Sequence, residues 1–340
     1  MTRASMTGLE SVNEVKQYEH PVFATEESVE QEAPISAKWF EMRVIPADVQ
    51  ATVLFQNARI LIDNAEHALA ENILRLMLSR NSNCTQAIYW LTHCFLAQSR
   101  FAEAEQLAGV LVRLRPDVYT QALLGETHYQ LAKYELALTT YLQASRCLEI
   151  DPLQLYEINK NIGNIYVRQG DFESAKEFYD KAHRLQPDSD VLAVNLGTLD
   201  IQQNKLDSAV NHFRRAIALN SENDKAWVGL ALVHRHFADH ELSWANLNRA
   251  LDINPLNKTA VQLILEWADE MPKWETVAFR LKEFLGLSGL DAEVSLALAK
   301  VLIHIGSWAE AKIELERATN LNPELSQIGD LKRIVVARCA

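Results

Sequence analysis

Residues 156–187 read YEINKNIGNIYVRQGDFESAKEFYDKAHRLQP, and residues 190–221 read DVLAVNLGTLDIQQNKLDSAVNHFRRAIALNS. The two stretches align without a gap at an offset of 34 residues, placing Gly163 on Gly197, Ala175 on Ala209 and Ala182 on Ala216. The same frame runs on through Ala231, Ser243, Ala250 and Pro255, skips one set, and returns at Ala299, Ala311, Ala318 and Pro323. Small residues at fixed places let two helices approach closely. Pro187, Pro255 and Pro323 then stop the second helix, because proline has no amide hydrogen and its ring clashes with the preceding turn. A fixed period of this length marks a repeat array, in which each unit is too small to bury its apolar face alone and stacks on its neighbours.

Working outward, units begin at Ala51, Thr85, Val118, Tyr156, Asp190, Asp224, Lys258 and Ala292. From the second unit on, position seven is Leu91, Leu124, Ile162, Leu196, Leu230, Ile264 and Leu298. Position seventeen is Phe101, Tyr134, Phe172, Trp274 and Trp308 in five of them. This pattern resembles the tetratricopeptide repeat family over residues 46–325. The resemblance implies an all-α, right-handed superhelical solenoid of eight helical hairpins, followed by a capping helix in 326–340. Ile328, Leu331, Ile334 and Val335 are expected on the covering face of that cap. Gly170 and Gly306 fall at turns inside a hairpin, where a positive φ is cheap for glycine.

Two departures carry structural expectations. Extra residues at Ser145–Asp151 predict a longer second helix in the third unit. In the seventh unit Leu265, Val277 and Phe284 replace the small residues and Gly289 replaces proline, which predicts looser packing there. Ahead of the array, residues 1–45 carry eight glutamates against four basic residues and lack apolar periodicity until Trp39 and Phe40. They read as an acidic, largely disordered arm.

Composition narrows the function. The net charge is −12 at pH 7, so the chain as a whole is a poor match for nucleic acid or an anionic membrane. Cys84, Cys94, Cys147 and Cys339 form no CxxC pair, and no metal, phosphate-loop or nucleophile motif occurs. His236 and His240 stand four apart, but His240 falls on a packing position. The expectation is a non-catalytic, cofactor-free cytoplasmic protein.

In this family the first helix of each hairpin lines the concave groove. The resemblance places there Tyr89, Tyr119 and Tyr129 in the early units, then Lys160, Asn161, Asn164, Arg168, Asn195, Lys225 and Arg235 in the centre, with Phe55 before them and Glu266, Asp269 and Glu270 after. Lys160, Asn164, Asn195 and Lys225 also resemble four of the five residues of the carboxylate-clamp members, while Gly229 stands where the fifth, an arginine, belongs. Lysine ammoniums supply charge-assisted hydrogen bonds to a carboxylate, and asparagine amides pair with an extended peptide backbone. The resemblance implies a protein-interaction adaptor or scaffold that holds a partner protein or peptide in the groove. A chaperone or a peptide-sensing regulator would use the same surface, with the acidic arm competing for it or the chain self-associating. Binding on the convex face or at an end remains open at this point.

Overall fold

The structure is a computed structural model, and it describes residues 49–147, 150–268, 270, 273–325 and 328–339. The acidic arm inferred for residues 1–45 lies outside them, as do Asp269 and Gln327. The described residues form seventeen α-helices and no strand.

Eight pairs follow in order. They are α1 (Val49–Asp63) with α2 (His67–Arg80), α3 (Thr85–Ala97) with α4 (Phe101–Leu114), and α5 (Val118–Gln130) with α6 (Tyr134–Ala144). Then come α7 (Pro152–Gln169) with α8 (Phe172–Leu185), α9 (Asp190–Gln202) with α10 (Leu206–Leu219), and α11 (Asp224–His236) with α12 (His240–Ile253). Finally α13 (Lys258–Trp267) pairs with α14 (Trp274–Ser288), α15 (Ala292–His304) pairs with α16 (Trp308–Leu321), and α17 (Ile328–Cys339) ends the chain. Each helix packs mainly on its neighbours in sequence, which makes the described chain an all-α repeat solenoid.

The helix starts are written into the sequence. Asp117, Asp151, Asp171, Ser189, Asn223, Asp239, Asn257 and Asp291 each accept a hydrogen bond from a backbone N–H in the first helical turn. Inside most pairs the turn passes through one residue of positive φ. Gly170 and Gly306 take it as expected, at φ 77° and 79°. Ala65, Ser99, Ala132, Asn204 and Ala238 take it at the equivalent place, with φ of 55–59°. In the seventh unit that place is Pro272, which lies outside the described residues. There α13 has 10 residues against 13 in α9 and α11 and ends at Trp267, and its interface with α14 is far shorter than that of the other pairs.

The core is a run of small residues beneath large ones. Ala70, Ala104, Ala137, Ala175, Ala209 and Ala311 are fully buried where paired helices cross. At the next level, Gly163 would place an added Cβ within 2.5 Å of the Tyr179 ring.

Two expectations need correction. The extra residues after Ser145 do not lengthen the second helix of the third unit: α6 stops at Ala144 with 11 residues, while α7 gains a turn at its start and has 18. Pro152 explains this, since proline fits the first turn of a helix and Asp151 caps it. On α17, Ile328 and Val335 are buried but Ile334 is 47% exposed, so Ile334 is not on the covering face.

Candidate partner-binding site

The residues expected to bind a partner lie on the first helices of the second to sixth pairs, and hydrogen bonds link several of them. On α7, Asn164 Oδ1 accepts from Tyr179 Oη at 2.7 Å and from Asn195 Nδ2 at 3.0 Å. Asn161 Nδ2 donates to Tyr141 Oη at 3.1 Å. Arg168 Nε donates to Tyr129 Oη at 2.6 Å, and its guanidinium lies over the rings of both Tyr129 and Tyr134. These contacts span α5, α7 and α9, so the facing surfaces of those helices form one strip. Burial pushes the Tyr179 phenol far above its ordinary range, so Tyr179 stays protonated and can donate to Asn164.

The charged members differ in setting. Lys160 is largely covered and pairs with Glu157 at 2.7 Å, whereas Lys225 is exposed. Arg235 meets Glu270 and His240, and its guanidinium lies 5.2 Å from the centre of the Trp267 ring. Tyr119 and Tyr129 are half-buried. Tyr89 and Phe55 are not surface groups: Tyr89 is 2% exposed, in edge contact with Trp90, and Phe55 belongs to the same core.

Sequence reasoning missed the partners of the asparagines. Tyr141, Tyr179 and Phe213 occupy position twenty-four of three successive units. Tyr141 is bonded to Asn161 and Phe213 lies against Gly229, each at position six of the next unit, while Tyr179 bonds Asn164 of its own unit, which in turn accepts from Asn195. Beside each phenol stands an asparagine. Beside the phenylalanine, which has no hydroxyl, stands glycine, and a Cβ there would lie 2.2 Å from Phe213 Cε1. The absent clamp arginine therefore has a steric cause, because no side chain fits at Gly229 while Phe213 keeps its place. The signal was present as a pairing of residue types across adjacent repeats.

Two tetratricopeptide-repeat family models match the chain, one at residues 154–222 and one at 194–258. The chain contains tetratricopeptide repeats. It is 26% identical over 152 residues to a DnaJ homolog subfamily C member 7 homolog of Schizosaccharomyces pombe, covering 40% of this chain and 31% of that protein. It is 25% identical over 248 residues to the human protein O-mannosyl-transferase TMTC3, covering 68% of this chain and 27% of that one. The chain thus spans less than a third of either relative's length. Among solved structures it resembles a chain of the APC/C hetero-tetramer Cut9-Hcn1, with a TM-score of 0.53 at 16% identity over 88% of this chain and 58% of that one. That likeness bears on the fold alone. A repeat solenoid of this kind is a protein-interaction scaffold in general terms. No helix among the described residues is long and apolar enough to cross a membrane.

Proposed function

We propose that this chain is a non-catalytic adaptor that holds an extended segment of a partner protein along the strip formed by α5, α7, α9 and α11. The observation that carries the reading is the bonded chain Tyr179–Asn164–Asn195, with Asn161 on Tyr141 beside it. Each asparagine is oriented by a neighbour through one side of its amide and retains further donor or acceptor capacity for a peptide backbone. Lys225 supplies an exposed positive charge at one end of the strip, and Arg168 a guanidinium braced on two tyrosines within it. With glycine at position 229 the strip lacks bidentate capture of a terminal carboxylate, so the favoured ligand is an internal segment bearing an acidic side chain.

The test is affinity capture with the wild-type chain and with Lys225→Glu, partners being identified by mass. The exposed Lys225 can be reversed in charge without touching the core. A partner held by the wild-type chain and lost from Lys225→Glu supports the strip, and undiminished capture by the variant refutes it. Asn164→Ala with Asn195→Ala is a less direct probe, because it also strips the Tyr179 hydroxyl of its acceptor.

A further inference from the structure

A shallow depression of about 420 Å³, largely open to solvent, lies on the side of α7 opposite the strip. It lies beside the end of α6, which stops at Ala144, three residues short of the 14-residue length of α8 and α10. It is lined by Leu142, Leu155, Phe178 and Leu185, together with Ser145 and the buried Asn159. Two cations complete the lining. Lys181 Nζ lies 4.0 Å from the centre of the Phe178 ring and also pairs with Glu177 at 2.7 Å. Arg184 is exposed, and it makes no ion pair among the described residues.

Leu155 and Asn159 stand nine and five residues before Asn164, about half a helical turn round α7 from it, so one helix separates the two surfaces. The chemistry also differs. The strip is an amide and phenol surface. The depression is lined mainly by apolar side chains with two cations among them.

We propose that this depression is a second docking site, taking a large apolar side chain of a partner peptide whose adjacent residue is acidic. The apolar side chain packs on Leu142, Leu155, Phe178 and Leu185, and the carboxylate meets Arg184, with Lys181 as a weaker contributor because Glu177 already shares its charge. Charge complementarity decides between peptides: a basic flank would face two cations. The site is independent of the strip, and either can fail without the other.

The probe is an acetylated, amidated hexapeptide with a Leu-Phe centre flanked by glutamate pairs. Two controls carry lysine flanks or an Ala-Ala centre. Binding is read on the whole chain by leucine methyl NMR and by titration calorimetry. The expected result is a shift of the Leu142, Leu155 and Leu185 methyl signals with the glutamate peptide, and affinity at least tenfold weaker for each control. Arg184→Glu should weaken the glutamate peptide at least tenfold, and Ser145→Tyr, which places a ring in the depression, should abolish its binding. The inference is overturned if the lysine peptide binds as well as the glutamate peptide, if the alanine peptide binds as well, or if the wild-type leucine signals stay still. Because the methyl shifts are read on the unmodified protein, the inference can fail even if a variant does not fold.

Discussion

At the scale of single residues, Phe213 is the most constraining group in the centre of the array. Its ring sits between Gly197 and Gly229, where added Cβ atoms would lie 2.8 Å and 2.2 Å away. Gly229→Arg, which completes the clamp by sequence, should therefore lower stability without creating carboxylate capture. Gly229→Ala isolates the steric part and should cost about 1–3 kcal/mol, read from the urea midpoint. The control is Gly286→Ala on the open face of α14, where nothing lies within 4 Å of the new methyl. That change should gain about 0.5–1 kcal/mol through helix propensity. If both variants unfold at the same urea concentration, the close approach of Phe213 is not what fixes glycine at position 229. The same residue shows how far the site could be read from sequence. Position six of each unit could be counted, which identified Asn161, Asn195 and Gly229 as equivalents. What those side chains touch depends on residues of the unit before, which no count within one unit shows. Tyr89 failed for a related reason. Its position is a groove position by register, but the first two pairs close over it with Trp90, Phe95 and Leu91 into one cluster, so it is core.

At the scale of the element, the turn inside each pair carries a correctable strain. Ala65, Ala132 and Ala238 hold left-handed φ values of 59°, 55° and 56°, a conformation in which an L side chain meets its own backbone. Gly170 and Gly306 solve the same geometry without that cost. Replacing each of the three alanines by glycine should raise stability by about 0.5–1 kcal/mol per site, net of the greater freedom glycine gives the unfolded chain. The sites are one or more repeats apart, so the gains should add. Chemical denaturation of the singles and the triple variant measures this; a triple variant no more stable than the wild type would mean the turns are relaxed. The helices themselves were legible, because small-residue spacing and prolines mark where paired helices cross and end. The insertion after Ser145 was not, since extra residues can extend either the helix before or the helix after. Asp151-Pro152 decides the matter as a cap and first-turn pair, and it is the helix after that grows.

At the scale of the whole chain, two properties follow from summing local ones. The first is acid sensitivity. Burial, aided by Arg59 and His67, holds the His93 imidazole at about 4 against an ordinary 6.5, and burial is also the leading cause of the lowered values at His67, His128, His212 and His234. A histidine with a depressed folded-state value takes up its proton more readily when unfolded, so its contribution is complete above about pH 6.5 and is lost as the pH falls toward 4. The urea midpoint should therefore decline through that window, and His93→Phe, which keeps a ring against Tyr89 and Trp90, should flatten the decline; an equal slope in the variant would remove His93 from the explanation. The second property is uneven cooperativity. In a linear array each pair is stabilised by its own packing and by its two neighbours alone, so one weak pair divides the chain. The seventh pair is the weak one, with a 10-residue α13, a short interface to α14, and Leu265, Val277 and Phe284 in place of small residues. Backbone amides of α13 should exchange with deuterium faster than those of α9 and α11. At intermediate urea, α15–α17 should lose protection as a block while α7–α12 retain it. Hydrogen exchange followed by mass spectrometry resolves both, and protection lost in one step across α7–α17 would show that the long side chains of the seventh pair restore the coupling its short interface gives up.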